Sequence, residues 1–189
     1  MDAIARYRQA LRGYKPRPIS VDGAAPAAVL VPLYRRDGQE HVILTKRTEQ
    51  VEHHKGQVSF PGGAFDAEDG DLLTTALREA YEEIGVRAED VEVIGQLDEL
   101  VTISEFQVTP YVGVVARSPY PFVPNAQEVA LILEVPVSHL LDDGNAFQER
   151  RWLRGRQVEL TSYRFGEHVI WGATARILKQ LLDLLAASR

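Results

Sequence analysis

The chain has 189 residues, a net charge of −6 from 21 Lys and Arg against 27 Asp and Glu, and no cysteine. Its length suits one domain with a sizeable core. The missing cysteine excludes disulfides, thiolate metal sites and cysteine nucleophiles, and the acidic balance argues against a nucleic-acid binder, which carries a basic stripe.

Ile4, Tyr7 and Leu11 fall at helical spacing, and Gly13 can end that helix. Lys15-Pro16-Arg17-Pro18 reads as an extended linker. Ala27–Leu33 is a buried strand, Arg35–Gly38 a turn and His41–Thr45 the returning strand of a hairpin. Lys46 to Asp71 is polar and irregular, with a short apolar strand running into a turn at Pro61-Gly62-Gly63. Leu72–Ile84 is a helix terminated by Gly85. Val91–Leu97 and Val108–Val115 are strands flanking a polar segment, and Pro119, Pro121 and Pro124 mark a loop. Leu131–Val135 is a strand, and Val137–Leu141 opens a short helix. Val158–Phe165 and His168–Ile170 pair as a hairpin, and Trp171–Ala187 is helical, with Ile177, Leu178, Leu181 and Leu185 on one face. This order predicts an α/β fold, a mixed sheet covered by helices on both sides. The N-terminal helix covers the sheet or meets the other subunit of a homodimer. The longest apolar runs, such as Ala27–Val31, fall far short of the about 20 residues of a membrane span. No basic flank followed by an apolar core marks a secretory signal, so a cytoplasmic protein without membrane association is expected.

The helix over 72–84 carries the most chemical information. At about 100° per residue, Leu73, Ala76, Leu77, Ala80 and Ile84 point to the core. Glu79, Glu82 and Glu83 share another side. Three carboxylates this close repel one another, and they sit at the helix end that its dipole disfavours for anions. A hard divalent cation, Mg²⁺ or Mn²⁺, removes the conflict, because it takes oxygen ligands. The same segment also reads as a solvated face in which Arg78 pairs with Glu82 one turn on.

Gly63, five residues, Asp69, eight residues, then Arg78-Glu79-Ala80-Tyr81-Glu82-Glu83-Ile84-Gly85-Val86 resembles the Nudix box. Here the box is one residue longer, and Asp69 stands where that family has its first Glu. Upstream, Leu44-Thr45-Lys46-Arg47-Thr48 through Phe60-Pro61-Gly62-Gly63 resembles the additional signature of the coenzyme A pyrophosphatases, with Glu52 where an Arg is usual and Lys55 as a substitute cation. Phe106–Pro110, Glu128-Val129 and Ile170–Arg176 resemble further segments of that subgroup, so the likeness spans about residues 27–185.

The resemblance implies a Nudix-type α/β/α sandwich over 27–189, preceded by a helix and linker over 1–26. It implies hydrolysis of a nucleoside diphosphate linked to another group, with a small coenzyme A-like nucleotide as substrate. Glu79 and Glu83 would hold one metal cluster, Glu82 a second ion, and the Gly62 carbonyl would add a ligand. Arg78 would orient the glutamates. Glu128 fits the position from which relatives supply a base, with Glu105 as the other carboxylate in view. Arg47, Lys46 and Lys55 are candidates for the substrate phosphates, since arginine binds phosphate bidentately. Adjacent His53 and His54 point apart and have no other His or Cys nearby, which argues against zinc. Asp66–Asp71 has the composition of a calcium loop, but Gly70 is out of register for one. A related pyrophosphatase acting on ADP-ribose, a dinucleoside polyphosphate or a damaged nucleotide has the same box, and a non-catalytic nucleotide-sensing module reuses the same fold.

Overall fold

A computed structural model describes residues 3–49, 56–153 and 155–187. Among these residues eight strands form one mixed sheet and three form a second, antiparallel one. The first strand, β1 (Ala25–Arg36), returns through Asp37 and Gly38 into β2 (Gln39–Arg47). Both turn residues have positive φ, 50° and 79°, the conformation that matches the twist of a two-residue hairpin. β1 also runs parallel to β7 (Phe106–Val115) along ten paired positions, which makes the sheet mixed. β7 is followed by β5 (Val91–Gln96) at one edge, and β2 pairs with β8 (Val129–Pro136) and with the two-residue β3 (Val58–Ser59).

Two departures from the sequence reading lie in this sheet. Gly62-Gly63 does not turn: with Ala64 it forms β4 (Gly62–Ala64), antiparallel to Ala27–Val29 of β1. A Cβ on Gly62 would stand 2.4 Å from the Ala28 carbonyl oxygen, so only a glycine lets the two backbones come this close. The polar segment before β7 hides β6 (Leu100–Val101), which pairs with Val108 and Gln107.

Strand alternation divides the interior. Ala28 and Leu30 meet α2 (Leu72–Ile84) through Ala76 and Ala80, and Tyr34 and Ile43 meet Ile84 and Val86 beside them. Ala27, Val31 and Leu33 point the other way, into the main core, with α4 (Gly172–Ala187) and α1 (Ala3–Arg12). Ile4, Tyr7 and Leu11 of α1 are buried there, so the N-terminal helix covers the sheet. The short α3 (Val137–Leu140) follows β8 and adds Val137 and Leu140 to the same core. The second sheet consists of β9 (Ala146–Leu153), β10 (Arg156–Phe165) and β11 (His168–Ile170). Its hairpin was legible, whereas β9 was not, because Gln148-Glu149-Arg150-Arg151 interrupts any apolar pattern. No helix among the described residues is long and apolar enough to cross a membrane.

α2 has clear ends. The Asp71 carboxylate accepts from Thr74 N–H at 2.7 Å, and Gly85 closes the helix in the left-handed region at φ 72°. The buried face is rotated from the one expected: Thr75, Ala76, Ala80, Glu83 and Ile84 are buried, while Leu73 and Leu77 are only partly covered. Small alanines at 76 and 80 let the helix approach the sheet closely, and this carries its carboxylates inward. Replacing Gly85 by alanine forces a side chain into the left-handed region, 3.3 Å from Val123. Urea unfolding is expected to show a loss of about 1–2 kcal/mol.

Candidate active site

The three glutamates of α2 diverge. The Glu83 side chain is 3% exposed and that of Glu79 16%, whereas that of Glu82 is 51% exposed. Glu79 lies directly on β4: a Cβ on Gly63 would stand 2.5 Å from its Oε1. Gly63 is thus the space in which that carboxylate sits. Glu83 reaches the sheet at β2. Thr45 Oγ1 is 3.5 Å from its Oε2, Arg47 Nη1 is 3.8 Å from its Oε1, and the Gly62 N–H faces its carboxylate.

Burial pushes the Glu83 carboxyl up to about 8; Arg47 opposes this, and the charges of Glu79 and Glu128 add to it. Glu79 is also raised, first by burial, with Arg78 opposing and Glu82 and Glu128 adding. Two carboxyls raised by burial and by neighbouring carboxylates mark a place short of positive charge.

Arg78 is held on all sides. Its Nε and Nη2 grip Asp69 at 2.7 and 3.1 Å, and its Nη1 reaches Glu79 at 2.8 Å and Glu82 at 3.1 Å. Asp69 also accepts from Thr75 Oγ1 at 2.7 Å and from Asp66 N–H at 3.2 Å. These bonds, the Arg78 fork above all, hold its carboxyl far below the usual carboxylate range. The residue that departs from the box pattern therefore has a definite use. Asp69 fixes Arg78, and Arg78 fixes Glu79 and Glu82. The rest of the acidic stretch caps turns: Asp66 accepts from Glu68 N–H and Asp71 from Thr74 N–H.

Glu128 belongs to a loop that is fastened to the C-terminal end of α2. Val123 N–H donates to the Ile84 carbonyl at 3.0 Å and Asn125 N–H to the Glu83 carbonyl at 2.9 Å, satisfying two acceptors that a helix end leaves open. Thr48 N–H donates to the Glu128 carbonyl at 2.8 Å, tying the loop to β2 as well. Its carboxylate acts electrostatically on both Glu79 and Glu83. Glu105 lies instead in the turn between β6 and β7, exposed, with its carbonyl bonded to Ala25 N–H at the start of β1.

Of the cations named from the sequence, Arg47 shares the α2-facing side of β2 with Thr45 and Ile43. Lys46 alternates to the opposite side, with Val42 and Leu44, and is not brought to the carboxylates. Lys55 lies outside the described residues, as do Glu52, His53 and His54. The sequence alone assigns no separate role to Thr45, Asn125 or Thr75, although Thr45 lies in the signature segment and two residues from Arg47 on one strand.

Three comparisons bear on this arrangement. The family described as NUDIX domain matches residues 24–169. The chain is 39% identical over 155 residues to a protein named "Uncharacterized Nudix hydrolase NudL" from Enterobacter sp. (strain 638), covering 82% of this chain and 80% of that one. The protein of that name from Salmonella paratyphi B is 38% identical over the same shares. This chain belongs to the Nudix hydrolase family. Among solved structures, a MutT/nudix family protein from Enterococcus faecalis shares the fold at a TM-score of 0.57 and 15% identity, covering 97% of this chain and 70% of that one. The NUDIX domain of Shewanella oneidensis NrtR, complexed with ADP ribose, does so at 0.50 and 19%, covering 70% and 84%.

As a Nudix hydrolase the protein is a diphosphatase acting on phosphorus anhydrides. Nudix hydrolases generally require a divalent metal such as Mg²⁺ or Mn²⁺. The residues present fit such an ion by donor chemistry: Glu79 and Glu83 offer oxygen ligands one helical turn apart, where positive charge is short. Among the described residues no three Asp, Glu or His side chains already form a cage.

The Asp69–Arg78 pair generates a test. The carboxyl of Asp69 is depressed in the folded state, so its stabilisation is complete above its unfolded value near 4 and fades as pH falls toward the folded value. Thermal unfolding of Asp69→Asn is expected to show a deficit that is constant from about pH 5.5 upward and shrinks below about pH 4. Its kcat/KM on any nucleotide that the parent cleaves is expected to fall about 10–100-fold.

Proposed function

We propose that the protein hydrolyses the diphosphate of coenzyme A or of its acyl derivatives, giving 3′,5′-ADP and 4′-phosphopantetheine or its acyl form. One observation carries this reading. The segment that resembles the coenzyme A pyrophosphatase signature is wired to the glutamates of α2: Thr45, Arg47 and Gly62 meet Glu83, and Gly63 meets Glu79. That the segment resembling the subgroup signature borders the glutamates of the box supports this reading.

In this reading a water oxygen forms a bond to one phosphorus of the diphosphate, and the bridging P–O bond breaks toward the leaving phosphate. Glu128, presented by its anchored loop, takes the proton of that water. Glu79 and Glu83 hold the divalent ion, with the Gly62 carbonyl as a further donor, and Glu82 serves a second ion. When bound, such an ion neutralises charge on the phosphoryl oxygens and lowers the pKa of a coordinated water. Arg78 keeps Glu79 and Glu82 in place, and Arg47 supplies a fork to a substrate phosphate. The intact set Arg78, Glu79, Glu82 and Glu83 speaks for catalysis over mere nucleotide sensing.

Product analysis after incubation with Mg²⁺ and coenzyme A, acetyl-coenzyme A, NADH, ADP-ribose and a dinucleoside polyphosphate tests the substrate. Release of 3′,5′-ADP from coenzyme A is the expected result. Cleavage of ADP-ribose with coenzyme A left intact would contradict it. Glu83→Gln is expected to lose several orders of magnitude in kcat, on the order of 10³ or more, while keeping its circular dichroism spectrum. Near-normal turnover by that variant would remove Glu83 from the chemistry.

A further inference from the structure

Two arginines serve the carboxylates of this site, and they are held in opposite ways. Arg78 is saturated, with Asp69, Glu79, Glu82 and the Ala64 carbonyl around its guanidinium. Such a group has little freedom to leave. Arg47 is underused. Its one described ion pair, to Glu83, is long at 3.8 Å, and its Nε is buried without a hydrogen-bond partner among the described residues. A buried N–H left unbonded is costly. Arg47 is nonetheless the only cation that the structure sets against Glu83 among the described residues, because Arg78 faces Glu79 and Glu82. The side chain is 26% exposed, so part of it is open to solvent.

We propose that Arg47 is a place-holder: its guanidinium occupies the space against the Glu83 carboxyl while no metal is bound, and it swings to a substrate phosphate once Glu83 is committed to a divalent ion. The inference deepens the proposed chemistry without depending on coenzyme A as the substrate. It makes Arg47 a link between two binding events. An arginine held by Glu83 is withheld from phosphate, so the anion binds well only to the metal-loaded protein. A released arginine then offers Nε and one Nη to two phosphate oxygens, which also satisfies the buried Nε. Arg47 is the last residue of β2, next to a register shift in its pairing with β8, a feature that re-aims side chains at functional sites.

The test uses Arg47→Gln and Arg47→Lys of the full chain, with Mg²⁺ and inorganic pyrophosphate as probes and no turnover. In EDTA, Arg47→Gln is expected to melt below the parent, and saturating Mg²⁺ is expected to close most of that gap. By linkage, its Mg²⁺ affinity measured calorimetrically then rises, about three- to tenfold. Pyrophosphate affinity in the presence of Mg²⁺ is expected to fall about tenfold or more in Arg47→Gln. It is expected to fall severalfold in Arg47→Lys, which keeps the charge and the fold but lacks the fork. An equal melting deficit with and without Mg²⁺, together with unchanged or weaker Mg²⁺ binding, would make Arg47 a fixed structural partner and overturn the proposal. Unchanged pyrophosphate affinity in Arg47→Lys would overturn it too. Neither result bears on which nucleotide is cleaved, so this test and the substrate panel fail separately.

Discussion

Glu79 and Glu83 carry carboxyl groups into the seam between α2 and the sheet, and the architecture around that seam is arranged to make this tolerable. Removing one carboxylate from water costs several kcal/mol even after relaxation. Burial raises both carboxyls against the pull of Arg78 and Arg47. In the proposed chemistry a divalent ion would supply the further positive charge, with oxygen-ligand preferences that these side chains match.

The surroundings follow from that constraint. Gly62 and Gly63 lie in β4 because one must pass against the Ala28 carbonyl and the other must leave room for the Glu79 carboxylate. Ala76 and Ala80 bring the helix close enough for its carboxylates to reach the sheet. Asp69 and Arg78 form a rigid support behind Glu79 and Glu82, and the loop that carries Glu128 is fastened by the open carbonyls of Glu83 and Ile84. One helix terminus thereby ends α2 and positions a third carboxylate at the same time.

Much of this was legible in the sequence. The bounds of α2 follow from Asp71, the apolar spacing and Gly85, and the paired strands β1 and β2 follow from their apolar runs around Asp37-Gly38. The box pattern pointed to Arg78, Glu79, Glu82 and Glu83 on α2. The remainder depended on tertiary context. Helical periodicity counted Leu73 and Leu77 as core and could not anticipate that packing on alanines would turn Glu83 inward. Pro61-Gly62-Gly63 carries a turn composition, yet Gly62 and Gly63 serve as strand because β1 offers them a partner. β9 is stabilised by pairing with β10, including Glu149 to Ser162 and Gln148 to Thr161, which leaves no local apolar trace. Alternation along β2 set Lys46 apart from Arg47 although the two are adjacent in sequence.

The most direct measurement is a manganese-soaked crystal examined by anomalous scattering. The account predicts a peak coordinated by the carboxylates of both Glu79 and Glu83, with Arg78 still gripping Asp69. A fully soaked crystal in which those two side chains keep their ion-free arrangement, with no peak between them, would contradict it.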